Sequence, residues 1–180
     1  QRQMCIRDRS ITNSGELDIE GNATFRVAGG QSIQLNHASN DFASAVTFVS
    51  GGTIADIEIV DTSAFIVKPI TITGDLKVTG AGITDSGNIV VTGSGKTATF
   101  NAGSGNDITL NNSNDFKTLK IAAARNVAVT DSDDVALGLS DVEGTYAITS
   151  TNGSITNTGA LDIEGVATFT VTNGQSVTLD

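Results

Sequence analysis

Apolar and polar residues alternate with a period of two along most of the chain. Leu17-Asp-Ile19, Ala23-Thr-Phe25-Arg-Val27, Ile33-Gln-Leu35, Ile57-Glu-Ile59, Leu76-Lys-Val78, Ile108-Thr-Leu110, Leu119-Lys-Ile121 and Val127-Ala-Val129 each set two or three apolar side chains on one face. That is the pattern of a strand with one buried side. The runs are short and are separated by Ala28-Gly29-Gly30, Ser50-Gly51-Gly52, Gly103-Ser104-Gly105-Asn106 and similar breaks. Gly, Asn and Asp tolerate the left-handed backbone that tight corners demand, so the pattern predicts an all-β chain of many short strands.

The pattern also repeats on a longer scale. Residues 11–35 read ITNSGELDIEGNATFRVAGGQSIQL and residues 155–179 read ITNTGALDIEGVATFTVTNGQSVTL, seventeen of twenty-five positions being identical at an offset of 144. Halfway between, Ile83 opens ITDSGNIVVTGSGKTATFNAGSGNDITL, the same pattern with three residues inserted before Thr97-Ala98-Thr99-Phe100. The period is therefore 72. It carries through each unit: Asn40-Asp41-Phe42 answers Asn114-Asp115-Phe116, and Ile57/Val127, Asp61/Asp131, Gly74/Gly144 and Leu76/Tyr146 lie 70 apart. The units span residues 11–82, 83–154 and, in part, 155–180.

Two architectures suit such strands, a parallel β-solenoid (β-helix) or tandem small β-sandwiches. In a solenoid each coil buries its face against the next, so two or three inward side chains per strand suffice; no Trp or Cys pair marks a sandwich core. The solenoid is expected, with about 7–8 coils of roughly 20 to 24 residues and a length of about 35–40 Å. Phe25, Phe100 and Phe169 are equivalent positions, as are Phe42 and Phe116, which predicts stacked core aromatics.

Composition and charge narrow the function. Twenty Gly and twenty-four Thr against one Pro, one Tyr and no Trp are a turn-rich β composition, and only 17% charged residues argues against helical bundles. A net charge of -10 repels phosphate backbones and anionic lipid surfaces, and no run approaches the eighteen or so apolar residues of a membrane helix, so neither a nucleic-acid partner nor membrane insertion is expected. Residues 1–9, QRQMCIRDR, break the alternation, hold the single Cys and three of the five Arg, and resemble translated sequencing adapter. They are expected to be a non-native or disordered tail, with residues 10–180 forming the solenoid. Without them three Arg and one Asp are lost and the charge becomes -12.

Candidate chemistry yields to plainer readings. Gly93-Ser-Gly-Lys-Thr97 looks like the end of a phosphate-binding loop, but the first required Gly falls at Val90 and a strand follows, so a widened surface turn is expected. Residues 102–110 look like a calcium-binding nonapeptide, yet stand as one copy where such sites draw ligands from adjacent turns. Asp131, Asp133 and Asp134 could offer hard-cation ligands, but Val135 falls at the next ligand place and no Gly follows, so a solvated acidic corner is expected. His37, the only His, becomes Asn112 in the second unit and has no nucleophile or acid set around it. Arg26 and Arg125 are the only Arg beyond the tail, and Arg26 becomes Asn101 and Thr170 elsewhere, which speaks against a polysaccharide-cleaving enzyme. Thr71-Ile-Thr73, Thr97-Ala-Thr99 and Thr170-Val-Thr172 suggest an ice-binding array but recur irregularly. No catalytic, cofactor or metal residue is assigned.

The NDITLNN of residues 106–112, the two NDF triplets and the ITxSGxLxIxGxATF units resemble the repeats of large bacterial surface and secreted proteins of the filamentous-haemagglutinin-like, β-strand-repeat class. The resemblance covers residues 10–180. It implies a right-handed parallel β-helix within a long exported adhesin or stalk at the cell surface, associated with the outer membrane. Its implied partners are a host-cell, matrix or glycan surface and flanking repeats of the same chain. The expected function is a non-catalytic structural and adhesive rod; the alternatives are a polysaccharide-cleaving β-helix enzyme and a calcium-dependent or ice-binding repeat module.

Overall fold

A computed structural model describes residues 3–5, 9–172 and 174–180. All regular elements among them are strands, and the strands stack in parallel as a β-solenoid of about eight turns. Part of the expected tail lies outside the described residues; Gln3–Cys5 runs beside Ala23–Val27 in parallel register.

Each coil passes along a first face, round a corner, along a second face and round the opposite corner. The first face is a ten-stranded sheet climbed in register at Ile11, Ile33, Ile57, Leu76, Ala98 and Leu119, which open coils 1 to 6. Leu119 then pairs with Leu137 in coil 7, and Val135 of the same strand leads to Ile155 in coil 8 and on to Val177. The step from coil to coil varies, being shortest from Leu119 to Leu137 and longest from Ile33 to Ile57. The second face begins as a three-stranded sheet ending at Val46–Ser50 and resumes as a six-stranded sheet from Phe65–Val67 to Ala167–Val171. Those two sheets are not joined, and a cavity of about 150 Å³ lies between them, lined by Phe42, Val46 and Phe65. Narrow ladders close the corners, Asp18–Ile19 with Asp41–Phe42 on one side and Ile70–Ile72 with Ile89–Val91 on the other.

Repeat and coil do not share a period. Ile11 lies on the first face; its equivalent one unit on, Ile83, lies on the second, paired with Phe65 and Ile108. Ile155, the equivalent two units on, is back on the first face, seven coils above Ile11. One repeat is thus three and a half coils, and successive units are turned by half a revolution about the rod axis. Because of that turn, Phe25, Phe100 and Phe169 form no common column. Each meets an aromatic of its own in a near-perpendicular contact instead: Phe25 with Phe42 at 6.1 Å, Phe100 with Phe116 at 5.7 Å and Phe169 with Tyr146 at 5.9 Å between ring centres.

Alternation produces the core directly. Leu35, Ile59, Val78, Phe100 and Ile121 form one in-register buried column through five coils, while Gln34, Glu58, Lys77, Thr99 and Lys120 on the same strands point outward. Burying each large apolar side chain stabilises by about 1.5–3 kcal/mol relative to exposure. Ile59→Ala should therefore cost about 2–5 kcal/mol in urea unfolding, whereas Thr99→Ala should stay within about 0.5 kcal/mol. Similar losses from both would show that the two rows are not inside and outside.

Candidate functional site

Polar chemistry concentrates at the corners. Asn40, Asp61, Asn114 and Asp131 are buried, and they belong to one motif written twice. In the first unit, Asn40 Oδ1 accepts the Leu17 N–H of the preceding coil at 3.0 Å and the Asn13 amide at 2.8 Å. Its Nδ2 donates to the Leu35 carbonyl at 3.0 Å. One coil later, Asp61 Oδ1 accepts the Phe42 N–H at 3.4 Å and both the N–H and hydroxyl of Ser63 at 3.0 Å. In the second unit, Asn114 Oδ1 accepts the Ile89 N–H at 2.8 Å, and its Nδ2 donates to the Leu110 carbonyl at 3.2 Å and Asp85 Oδ2 at 2.9 Å. Asp131 then accepts the Phe116 N–H at 2.8 Å and the Asp133 N–H at 2.9 Å.

The residue types follow from the backbone. Where a strand ends at a corner, buried N–H and C=O groups lose their ladder partners and need others. Asn accepts and donates at once, so it can join an amide of the coil before to a carbonyl of its own coil. Asp takes, through a carboxyl oxygen, the amide of the Phe that follows the Asn-Asp pair. Each NDF triplet is thereby fastened on both sides, pinning three consecutive coils. Among the described residues Asn13 Oδ1 and Asp61 Oδ2 are buried without a partner, so the first copy is less completely satisfied than the second.

Another pair of corners explains two glycines. A Cβ at Gly74 would run into Asp56 Oδ1 and the Ala55 carbonyl, and one at Gly144 into Asn126 Oδ1 and the Arg125 carbonyl. Asp56 and Asn126 in turn accept the Asp75 and Thr145 N–H groups at 2.8 and 2.9 Å.

Charge divides into a buried and an exposed set. Burial pushes the Asp131 carboxyl up to about 7, against the pull of the Asp133 and Phe116 N–H donors; neighbouring Asp115 adds to the rise and Lys117 offsets it. At the surface the Arg125 guanidinium grips Asp107 at 2.9 and 2.8 Å and holds that carboxyl down at about 2. Like charges stack along one corner, with Asp18 beside Asp41 and Asp141 beside Asp162 in register. Glu143 there is raised by the charge of Glu164.

These placements answer the sequence expectations one by one. Gly93–Thr97 is a surface turn, with the Lys96 N–H donating to the Gly93 carbonyl at 3.2 Å and its ammonium paired with Asp75 at 3.2 Å; a strand, Thr97–Gly103, follows. In residues 102–110 the single carboxylate, Asp107, is taken by Arg125 and Asn126. Asp131, Asp133 and Asp134 are not brought together: Asp131 is buried against Phe116, whereas the other two are exposed and Asp134 accepts the Ser154 N–H at 2.7 Å. His37 Nδ1 accepts the Ser39 N–H within its own turn at 3.3 Å. Arg26 is exposed beside Val49. Thr71, Thr97 and Thr170, which begin the three Thr-x-Thr pairs, lie on three different sheets. The NDF triplets and the Asp61/Asp131 match are visible in the sequence, but their task as corner fasteners is not. The available signal is an Asn held before Asp-Phe at both places while its neighbours drift.

Three stretches, residues 6–49, 54–123 and 124–180, match a family described as Repeats of unknown function (DUF5649). The chain belongs to this repeat family. No curated protein and no solved structure matches it. Membership carries repetition and no activity, and the matched residues include every member of both buried corners: Asn40 in the first stretch, Asp61 and Asn114 in the second, Asp131 in the third.

Two measurements check the corner. Asn114→Leu leaves the Ile89 N–H and Leu110 carbonyl bare and should cost about 2–4 kcal/mol, whereas exposed Asn111→Leu should stay within about 0.5 kcal/mol. For Asp131 the folded value lies above the ordinary 3.8, so between those values the folded state holds more protons than the unfolded one. Its contribution is full below about pH 4 and fades as pH rises to about 7, at up to about 1.4 kcal/mol per pH unit. Asp131→Asn should remove this component, so the melting-temperature gap between variant and wild type should widen in the variant's favour from pH 4 to pH 8. A gap independent of pH would show that Asp131 is ionised throughout.

Proposed function

We propose that the chain is a non-catalytic structural and adhesive rod segment of a large exported bacterial surface protein. The observation that carries this reading is the duplicated corner, in which Asn40 and Asn114, Asp61 and Asp131 direct their hydrogen bonds between coils rather than into a cleft. Three cations are likewise engaged with carboxylates: Lys77 with Glu58, Lys117 with Asp115 and Arg125 with Asp107, each at 2.8 Å. A catalytic face would set such groups free towards substrate. Each added unit of three and a half coils lengthens the rod by about 17 Å, which suits a spacer holding other regions away from a cell.

The exported, surface-bound half of the reading rests on the resemblance of the NDF and ITxSGxLxIxGxATF units to filamentous-haemagglutinin-like proteins, and so does a host-cell, matrix or glycan partner. Two experiments test it. Antibodies to residues 10–180 should label intact cells of the producing bacterium; labelling only after lysis would exclude the surface role. Incubation with polygalacturonate, pectin and alginate should release no new chain ends, and cleavage at an enzymatic rate would move the chain to the polysaccharide-cleaving class.

A further inference from the structure

The break in the second face between coils 2 and 3 coincides with a departure from the repeat. At one end of the break the Thr62 N–H donates to the Asn40 carbonyl, and at the other the Thr73 N–H donates to the Ile54 carbonyl, each at 2.9 Å. The second unit makes the equivalent ties, from Ser132 to Asn114 at 2.6 Å and from Glu143 to Ala124 at 3.1 Å. Between the ties the upper coil runs 11 residues in both units, from Thr62 to Thr73 and from Ser132 to Glu143. The lower coil runs 10 residues from Asn114 to Ala124 but 14 from Asn40 to Ile54. In the second unit the two coils join as Thr118–Ala124 beside Val135–Val142; in the first, with four residues more, Val46–Ser50 and Phe65–Val67 stay apart around the cavity of about 150 Å³.

This cavity passes from the core to the surface. Phe42, Val46 and Phe65 line its buried side, and Ser44, the exposed Ile66 and Lys68 its rim. Backbone groups of successive residues in a parallel strand point alternately to the two neighbours. The Ala45 carbonyl accepts the Ala23 N–H of coil 1, and the Phe65 N–H donates to the Gly82 carbonyl of coil 4. The N–H and C=O groups of Val46 and Ile66 therefore turn into the opening, where no ladder joins the two strands. Lys68 is the one charged residue of the lining, and among the described residues it forms no ion pair.

We propose that this cavity is a binding site for a small aromatic carboxylate. Size selects a single ring, since an apolar cavity of about 150 Å³ holds a benzene-sized molecule. The ties at Asn40 and Ile54 close both ends of the opening, so the occupant is a compact molecule rather than an extended peptide running through it. Phe42 and Phe65 offer ring contacts on the buried side. At the rim, Lys68 and the free N–H groups of the two strand edges suit an anionic acceptor, whereas an amine would meet an ammonium group. The inference does not depend on the adhesive reading.

Titration of the full chain with benzoate, followed by the amide NMR signals of Phe65 and Ile66 and by the melting temperature, tests it. Half-saturation is expected at about 1 mM, the scale open to a ligand of roughly nine heavy atoms. Toluene, the same ring without the charge, should bind about tenfold more weakly and benzylamine not at all. Lys68→Gln should weaken benzoate about tenfold and leave toluene unchanged, while Lys120→Gln on the first face changes neither. Ala45→Leu, which narrows the cavity, should abolish binding of both; circular dichroism confirms that each variant is folded. Absence of a saturable benzoate response up to about 20 mM overturns the proposal, as does a response that Lys68→Gln leaves unchanged. Toluene binding more tightly than benzoate would overturn the carboxylate assignment.

Discussion

The rest of this structure depends on satisfying backbone amides where strands stop. Along the straight runs the parallel ladder does this automatically, coil after coil, whatever points outward. At a corner it fails, and a buried N–H without a partner costs about as much as several buried methylenes contribute. Asn40 and Asn114 solve the problem by reaching back to the preceding coil, and Asp61 and Asp131 by reaching back to the Phe that closes each NDF triplet. The hydrophobic columns can stay in register because these four side chains fix where each coil turns.

Different parts of this arrangement were legible to different degrees. Inside and outside could be read residue by residue, since alternation such as Leu76-Lys77-Val78 maps straight onto buried and exposed positions. Repetition could be read as well, and it led to the parallel solenoid. The rotation between units could not, because Ile11 and Ile83 have similar neighbours in sequence but face opposite ways. Only the step length of each coil decides that, and steps vary as corners such as Gly93–Thr97 lengthen or shorten. By the same ambiguity, period two separates inward from outward but does not say which outward residues share a side. Asp131 was visible as a repeat match to Asp61 and read as part of a solvated acidic corner, since burial at a corner has no period of its own.

A repeat need not be uniform to be regular. The first copy of the buried corner leaves Asn13 Oδ1 and Asp61 Oδ2 without partners among the described residues, whereas in the second both Asp131 oxygens are engaged. The cavity between Val46–Ser50 and Phe65–Val67 lies in the same first unit. Coils 1 to 3 are therefore the loosely fastened part of the described rod and coils 4 to 7 the tight part. In a quasi-linear molecule, where each coil touches only its neighbours, such differences stay local.

The half-revolution between units has a mechanical consequence. A feature that recurs in every unit, as the Asn40 and Asn114 corners do, bends the axis towards its own side wherever it shortens that side of the rod. In the next unit the same feature sits on the opposite side and bends the axis back. An array built this way averages out its own curvature over every two units, so straightness comes from the mismatch between coil and repeat rather than from perfection within either.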